Sequence, residues 1–189
     1  MAVEIIKTYV EHFPAIRFVG KMYTEEDRVD DSFDKYWTEW RQNGWMDILR
    51  KLPQIENIEK GPLGLMGIEN KNGTHCNFQY WIGMMLPENT IVPDGFSYVD
   101  IPKGDVAVCW IYGSDETGEI YDAHELCMEK MFGKEDGWWN KIRNDLKGKD
   151  RDWVWWFERY SDTRMSNKDE KGNVILDYGM YIKSDHYVK

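Results

Sequence analysis

Cysteine is scarce in this chain: Cys76, Cys109 and Cys127 are the three copies in 189 residues, and none stands in a CxxC or zinc-type spacing. That pattern excludes a disulfide framework and fits free thiols in a reducing compartment. Positive charge is short as well, with 24 Lys and Arg against 34 Asp and Glu, a formal charge of −10, and no basic block longer than a pair. A phosphate backbone needs the opposite field, so no nucleic-acid partner is expected, while neutral or cationic ligands are favoured at long range. No window reaches the ~18 apolar residues of a membrane span, and the opening MAVEIIKTYVEHF has no basic n-region. The expectation is therefore a cytoplasmic protein with no membrane partner. GxGxxG, Walker and GxSxG patterns are missing too. His12, His75, His124 and His186 are scattered, and the HC at 75–76 and HELC at 124–127 stop short of a ligand set. Surface or helix-packing roles account for these histidines, and no metal or cofactor is expected.

What the chain has in excess is aromatic surface: ten Trp, eleven Tyr and seven Phe, 15% of all residues. The 42% hydrophobic content suffices for a core, and residues 1–189 read as one domain, monomeric by default. Leu, Ile and Val would fill that core equally well, so the surplus of Trp is either plain core or, in part, the lining of a concave aromatic site.

The order of elements repeats. FPAIRFVGKMYT (13–24) alternates as a strand, and DSFDKYWTEWRQNGWMDILRKLP (31–53) has a helical stripe that Ser32 can cap, Gly44 can break and Pro53 ends. GLMGIENK (64–71) and HCNFQYWIGMML (75–86) then form a hairpin across the NGT signal. The order begins again with FSYVDIPKGDVAVCWIYG (96–113), strand material with a KGD turn or bulge before a main strand at 105–112. TGEIYDAHELCMEKMF (117–132) has a second helical stripe, and GKEDGWWNKIRNDLKGKD (133–150) offers a short extra helix with Trp138 and Trp139, a candidate lid. WVWWFERY (153–160) and NVILDYGMYIKS (173–184) close the chain as strands joined by a charged loop. Two β-α-β-β pseudo-repeats, about 13–88 and 95–184, predict an α+β fold with a mixed, largely antiparallel sheet and a groove where the halves meet.

Within WVWWFERY, alternation sends Trp153, Trp155, Phe157 and Arg159 to one face and Val154, Trp156, Glu158 and Tyr160 to the other. Glu158 then lies on an aromatic face, where an unpaired carboxylate is costly unless it has a partner, is neutral, or is kept for a ligand. Arg159 points away and is a poor partner. In FQYWIG either Tyr80 or Trp81 can face a groove but not both, since Phe78, Tyr80 and Ile82 share one side. In VAVCWIY, Val106, Val108, Trp110 and Tyr112 share a face, and Trp110 is the candidate there. Trp37 and Trp40, from the first helix, are core residues or rim residues of the groove.

The succession FPAIRFVG, FQYWIG, GFSYVDIPKGDVAVCWIYG, WWFERY and LDYGMYIK resembles the GyrI-like small-molecule-binding family, the effector-binding domain of AraC- and MerR-type drug-responsive regulators. The most specific parts are IP-x-G-x-x-A-V (Ile101, Pro102, Gly104, Ala107, Val108) and FE-x-Y (Phe157, Glu158, Tyr160). The resemblance covers essentially the whole chain and implies a pocket for lipophilic, often cationic, aromatic molecules with Glu158 at its centre and Trp156 and Tyr160 beside it. It favours Tyr80 over Trp81. Some members act as hydrolases of cyclopropane-bearing alkylating natural products through the same glutamate, and on that reading Glu158 and Tyr160 would be catalytic. No helix-turn-helix precedes residue 13, so a stand-alone ligand-binding domain is expected. A module that acts on a protein partner through its acidic surface is a third reading.

Overall fold

The computed structural model describes residues 3–71, 74–134, 140–147 and 152–183. Among the described residues, nine strands and three α-helices follow one another as β1 (Glu4–Phe13), β2 (Ile16–Thr24), α1 (Asp34–Asn43), α2 (Trp45–Arg50), β3 (Leu63–Lys71) and β4 (Thr74–Pro87). The second half continues with β5 (Ser97–Ile101), β6 (Gly104–Gly113), α3 (His124–Phe132), β7 (Leu146–Lys147), β8 (Asp152–Arg159) and β9 (Val174–Ile182). The expected β-α-β-β order is present twice, as β2-α-β3-β4 and β6-α3-β8-β9. Gly44 splits the first helix: its left-handed φ of 63°, which glycine adopts without steric cost, ends α1 and begins α2.

The strands form one sheet in the order β1-β6-β9-β8-β3-β4-β2-β5, with β7 added along β8, and every described ladder is antiparallel. In each half the third strand pairs with the first and the second: β4 with β2 and β3, β9 with β6 and β8. The halves join where their second strands meet, from Leu63↔Arg159 to Asn70↔Asp152.

The IP-x-G segment is a corner of this sheet. Phe13 pairs with Gly104 at the end of β1 and the start of β6, and Ile16 pairs with Ile101 at the start of β2 and the end of β5. A two-stranded ribbon thus turns through Pro14–Ala15 and Pro102–Lys103, proline lacking the N–H that a continuing ladder would need. This turn links opposite ends of the strand order, so the sheet curls and its ends face one another across Phe13, Ile16, Phe18, Leu65, Trp81, Val106, Val108, Trp155, Phe157 and Tyr181. The other face carries the helices. α1 and α2 cover Val19, Tyr80, Ile82 and Met84, while α3 covers Ala107, Cys109, Leu176, Tyr178 and Met180. Among the described residues no helix is long and apolar enough to cross a membrane.

Two sequence expectations change. Strand β1 was not read from the sequence, because on the sheet edge its residues are mostly half-buried or exposed and show no clean alternation. In the segment expected as an extra helix, the described part bridges Ile142 to Ile182 and forms β7, while Trp138 and Trp139 lie outside the described residues.

Arg159 is fully buried on the curled face. Its guanidinium donates to Asp177 Oδ2 at 2.7 and 2.9 Å and to Glu11 Oε2 at 2.9 Å. Arg164 also donates to Asp177, at 2.6 and 3.1 Å. Asp177 and Glu11 offset the desolvation of Arg159 and hold it charged above the ordinary arginine range. Removing one partner of a buried pair leaves an uncompensated charge, so Asp177→Asn is expected to lower unfolding stability by ~3 to 5 kcal/mol. Urea denaturation measures this, and a loss below ~1 kcal/mol would show the network to be dispensable.

Candidate ligand groove

Where β3 and β8 meet on the helix-bearing face, the two helical layers stand apart and leave a groove of about 1210 Å³. β8 supplies its floor, because Trp156 and Glu158 are two residues apart and project from the same side. Tyr160 follows the strand end, where its N–H donates to Pro62 O at 2.9 Å and keeps the chain extended. Its hydroxyl donates to Glu158 Oε2 at 2.9 Å. The other carboxylate oxygen, Oε1, lies 2.7 Å from His124 Nε2 at the start of α3. An ionised carboxylate only accepts, so against ionised Glu158 the Nε2 atom is the donor.

Glu158 is 7% exposed. Its salt-bridge partner among the described residues is His124, and no Lys or Arg reaches it. Arg159, one residue on, serves the opposite core.

The aromatic wall is built from both halves. Gly64 is the cross-strand neighbour of Glu158, and a Cβ there would come within 2.5 Å of the Tyr80 hydroxyl. The glycine therefore leaves the space in which Tyr80 lies. Trp37 Nε1 donates to that hydroxyl at 2.9 Å, Phe33 stacks on the Tyr80 ring at 4.1 Å, and Trp37 meets the Tyr160 ring at 4.7 Å. Phe78 and Trp156 lie 6.3 Å apart on the same wall. Burial raises the phenols of Tyr80 and Tyr160 well above their ordinary range, and the charge of Glu158 adds to both shifts. Tyr121, at the α3 side, is pushed up to about 12 for the same two reasons. These hydroxyls are neutral hydrogen-bonding groups at physiological pH.

The structure brings together Glu158, Trp156, Tyr160, Tyr80 and Trp37. Trp40 also borders the groove, yet it is 1% exposed and its indole donates to Tyr23 OH, so it is chiefly core. Trp81 faces the curled side, its indole donating to Gln79 at 3.0 Å. Trp110 is a correction: the alternation that buries Val106 and Val108 on the curled side takes Trp110 with them, away from the groove. There it packs edge-on to Tyr9, with Lys7 and Arg164 over its ring at 4.4 and 4.6 Å.

Four residues not expected at the site also line the groove: Phe33, Phe78, Tyr121 and His124, the last expected in a surface or helix-packing role. Phe78 was legible from its alternation with Tyr80, and Phe33 from the helical stripe. His124 was not, because its contact with Glu158 joins residues 34 positions apart on different elements.

The chain matches the family described as integron-associated effector binding protein, Cass2, over residues 10–182. No curated protein matches it significantly. Among solved structures, a putative bacterial transcription regulation protein from Staphylococcus aureus MU50 superposes with a TM-score of 0.59 at 15% identity, covering 94% of this chain and 99% of that one. The structure of SAV2435 bound to tetraphenylphosphonium gives 0.60 at 16% identity, covering 95% of each chain. An integron cassette protein from the mobile metagenome of Vibrio cholerae gives 0.50 at 9% identity, covering 97% and 100%. At these identities the structural likenesses speak for the fold, and the family match over most of the chain speaks for descent: the chain belongs to the Cass2 family of integron-associated effector binding proteins, with a GyrI-like effector-binding fold.

Proposed function

We propose that this small-molecule-binding protein takes lipophilic, cationic aromatic compounds in the groove around Glu158. The observation that carries the reading is a buried carboxylate beside an aromatic wall with, among the described residues, no Lys or Arg paired to it. Such a charge pairs strongly with a cation that offsets its desolvation, and each aromatic face adds ~0.5 to 2 kcal/mol of cation–π attraction. Trp37, Trp156 and Tyr160 are the faces available, with Tyr80 behind them, 6% exposed and stacked on Phe33. The structural relative SAV2435, described bound to tetraphenylphosphonium, supports this ligand class. A groove of about 1210 Å³ admits bulky ligands, and stacking plus charge tolerates many shapes.

Tryptophan-fluorescence titration tests this. Glu158→Gln is expected to weaken tetraphenylphosphonium binding tenfold or more, ~1.4 kcal/mol, and to leave neutral triphenylphosphine oxide within about twofold. Equal affinity of both proteins for the cation would remove Glu158 from the account. Following cyclopropane-bearing alkylators by mass spectrometry separates capture from hydrolysis. Compound recovered intact means capture, whereas a product heavier by one water, lost in Glu158→Gln, would mean that Glu158 activates water.

The raised phenols set an alkaline limit. The folded groove keeps protons on Tyr80, Tyr121 and Tyr160, while the unfolded chain loses them near pH 10. Their contribution to stability is therefore complete below about pH 10 and declines above it. Tyrosinate absorbance, followed alongside circular dichroism, should show these phenols ionising only as the fold is lost. Ionisation of every tyrosine near pH 10 in the intact fold would contradict the burial of these phenols.

A further inference from the structure

His124 is the first residue of α3, and its ring stacks on Tyr178 at 4.4 Å between centroids, tilted by 21°. That stacking aims Nε2 at Glu158 Oε1, 2.7 Å away. The His124 side chain is 33% exposed and that of Glu158 is 9% exposed, so the pair spans the boundary between groove and solvent.

The surroundings of this imidazole are acidic and phenolic. Asp122 and Glu125 flank it along the chain and are exposed. Asp115, from the loop after β6, is engaged by Lys168, and Asp34 comes from α1. Tyr178 stacks on it from β9, and Tyr121 and Tyr160, from the 3-10 turn before α3 and the end of β8, line the same groove. Cys127 lies one turn along α3, and Arg41 of α1 acts on Tyr121 across the groove. His124 is the first residue of α3, and Glu158 is the carboxylate in contact with its ring.

We propose that His124 is the resident counter-ion of Glu158 and a specificity-determining residue of the groove: an entering lipophilic cation takes over the carboxylate's charge, and the imidazole gives up its proton to solvent. The inference rests on the cation-site reading above. Charge balances, since one cation enters as one proton leaves. Imidazole changes charge between about pH 5 and about pH 8, so acid turns the groove against cations and leaves neutral aromatic guests unaffected. Full competition limits the effect to tenfold in affinity per pH unit on the acid side.

The test compares dissociation constants of tetraphenylphosphonium and triphenylphosphine oxide between about pH 5 and about pH 8. The proteins are the wild type, His124→Gln and Glu158→Gln, with circular dichroism confirming each fold. In the wild type, cation affinity should rise at least threefold over that range, within the linkage limit, while the oxide stays flat. In His124→Gln the cation profile should flatten and lie tighter than wild type at the acid end. A residue that merely positioned Glu158 would instead weaken binding when removed. Persistence of the wild-type slope in His124→Gln would assign the titration to Glu158 and overturn the proposal, as would weaker cation binding by that variant at every pH. Unaltered cation binding by Glu158→Gln would sink the underlying cation-site reading. Dependence on Glu158 with a flat wild-type profile would sink only the role of His124. Should the His124 variant not fold, proton NMR of the wild-type imidazole decides: its titration midpoint should fall with saturating tetraphenylphosphonium, and an unchanged midpoint overturns the inference.

Discussion

Strand β8 carries two ionisable side chains in succession, and the two-residue period of a strand sends them into different compartments. Glu158 enters the groove, where an imidazole and a phenol meet it, and Arg159 enters the curled core, where Asp177 and Glu11 meet it. A slip of one residue would exchange them, placing a carboxylate beside Asp177 and a guanidinium among the groove tyrosines. Both outcomes are expensive, so the buried ion network on one face fixes the register that aims the groove's acid on the other. The cross-strand pairing of Arg159 with Asp177 ties β9 into the same register.

The rest of the site follows from where the two halves meet. β3 and β8 occupy equivalent places in the two pseudo-repeats and pair with each other, so the seam lies at the middle of the sheet, with the helices of each half standing to either side. One half contributes Tyr80, Trp37 and Phe33, and the other contributes Glu158, Tyr160 and His124. Gly64 is the small concession at the seam that lets Tyr80 lean toward the acid. The groove is thus a consequence of the joining, and neither half alone supplies its lining.

Much of this was legible in the sequence because a strand's alternation is a local signal. It separated Glu158 from Arg159, grouped Trp156 with Tyr160, and posed the choice between Tyr80 and Trp81 correctly. It failed at Trp110, because grouping Val106, Val108 and Trp110 on one face does not say which face lies under the helices. That depends on the sheet's curl, set by the ribbon corner at Pro14 and Pro102. It failed at β1, an edge strand whose outer positions water accepts as readily as protein does. His124 was invisible for a third reason: its meaning lies in a contact between α3 and β8, and its neighbours in sequence carry no trace of that contact.

The exchange of leading strands has a bearing on how the chain is made. β1 leads into the first half but pairs with β6 of the second, and β5 leads the second half but pairs with β2 of the first. As the polypeptide emerges from the ribosome, β2, β3 and β4 can close together early, while β1 waits for β6, whose first residue, Gly104, pairs with Phe13. Such long-range closure is slow compared with hairpin formation. During that interval the nascent chain exposes an unpaired edge and half a hydrophobic interior, and it is in that interval that the protein is most open to chaperones and to aggregation.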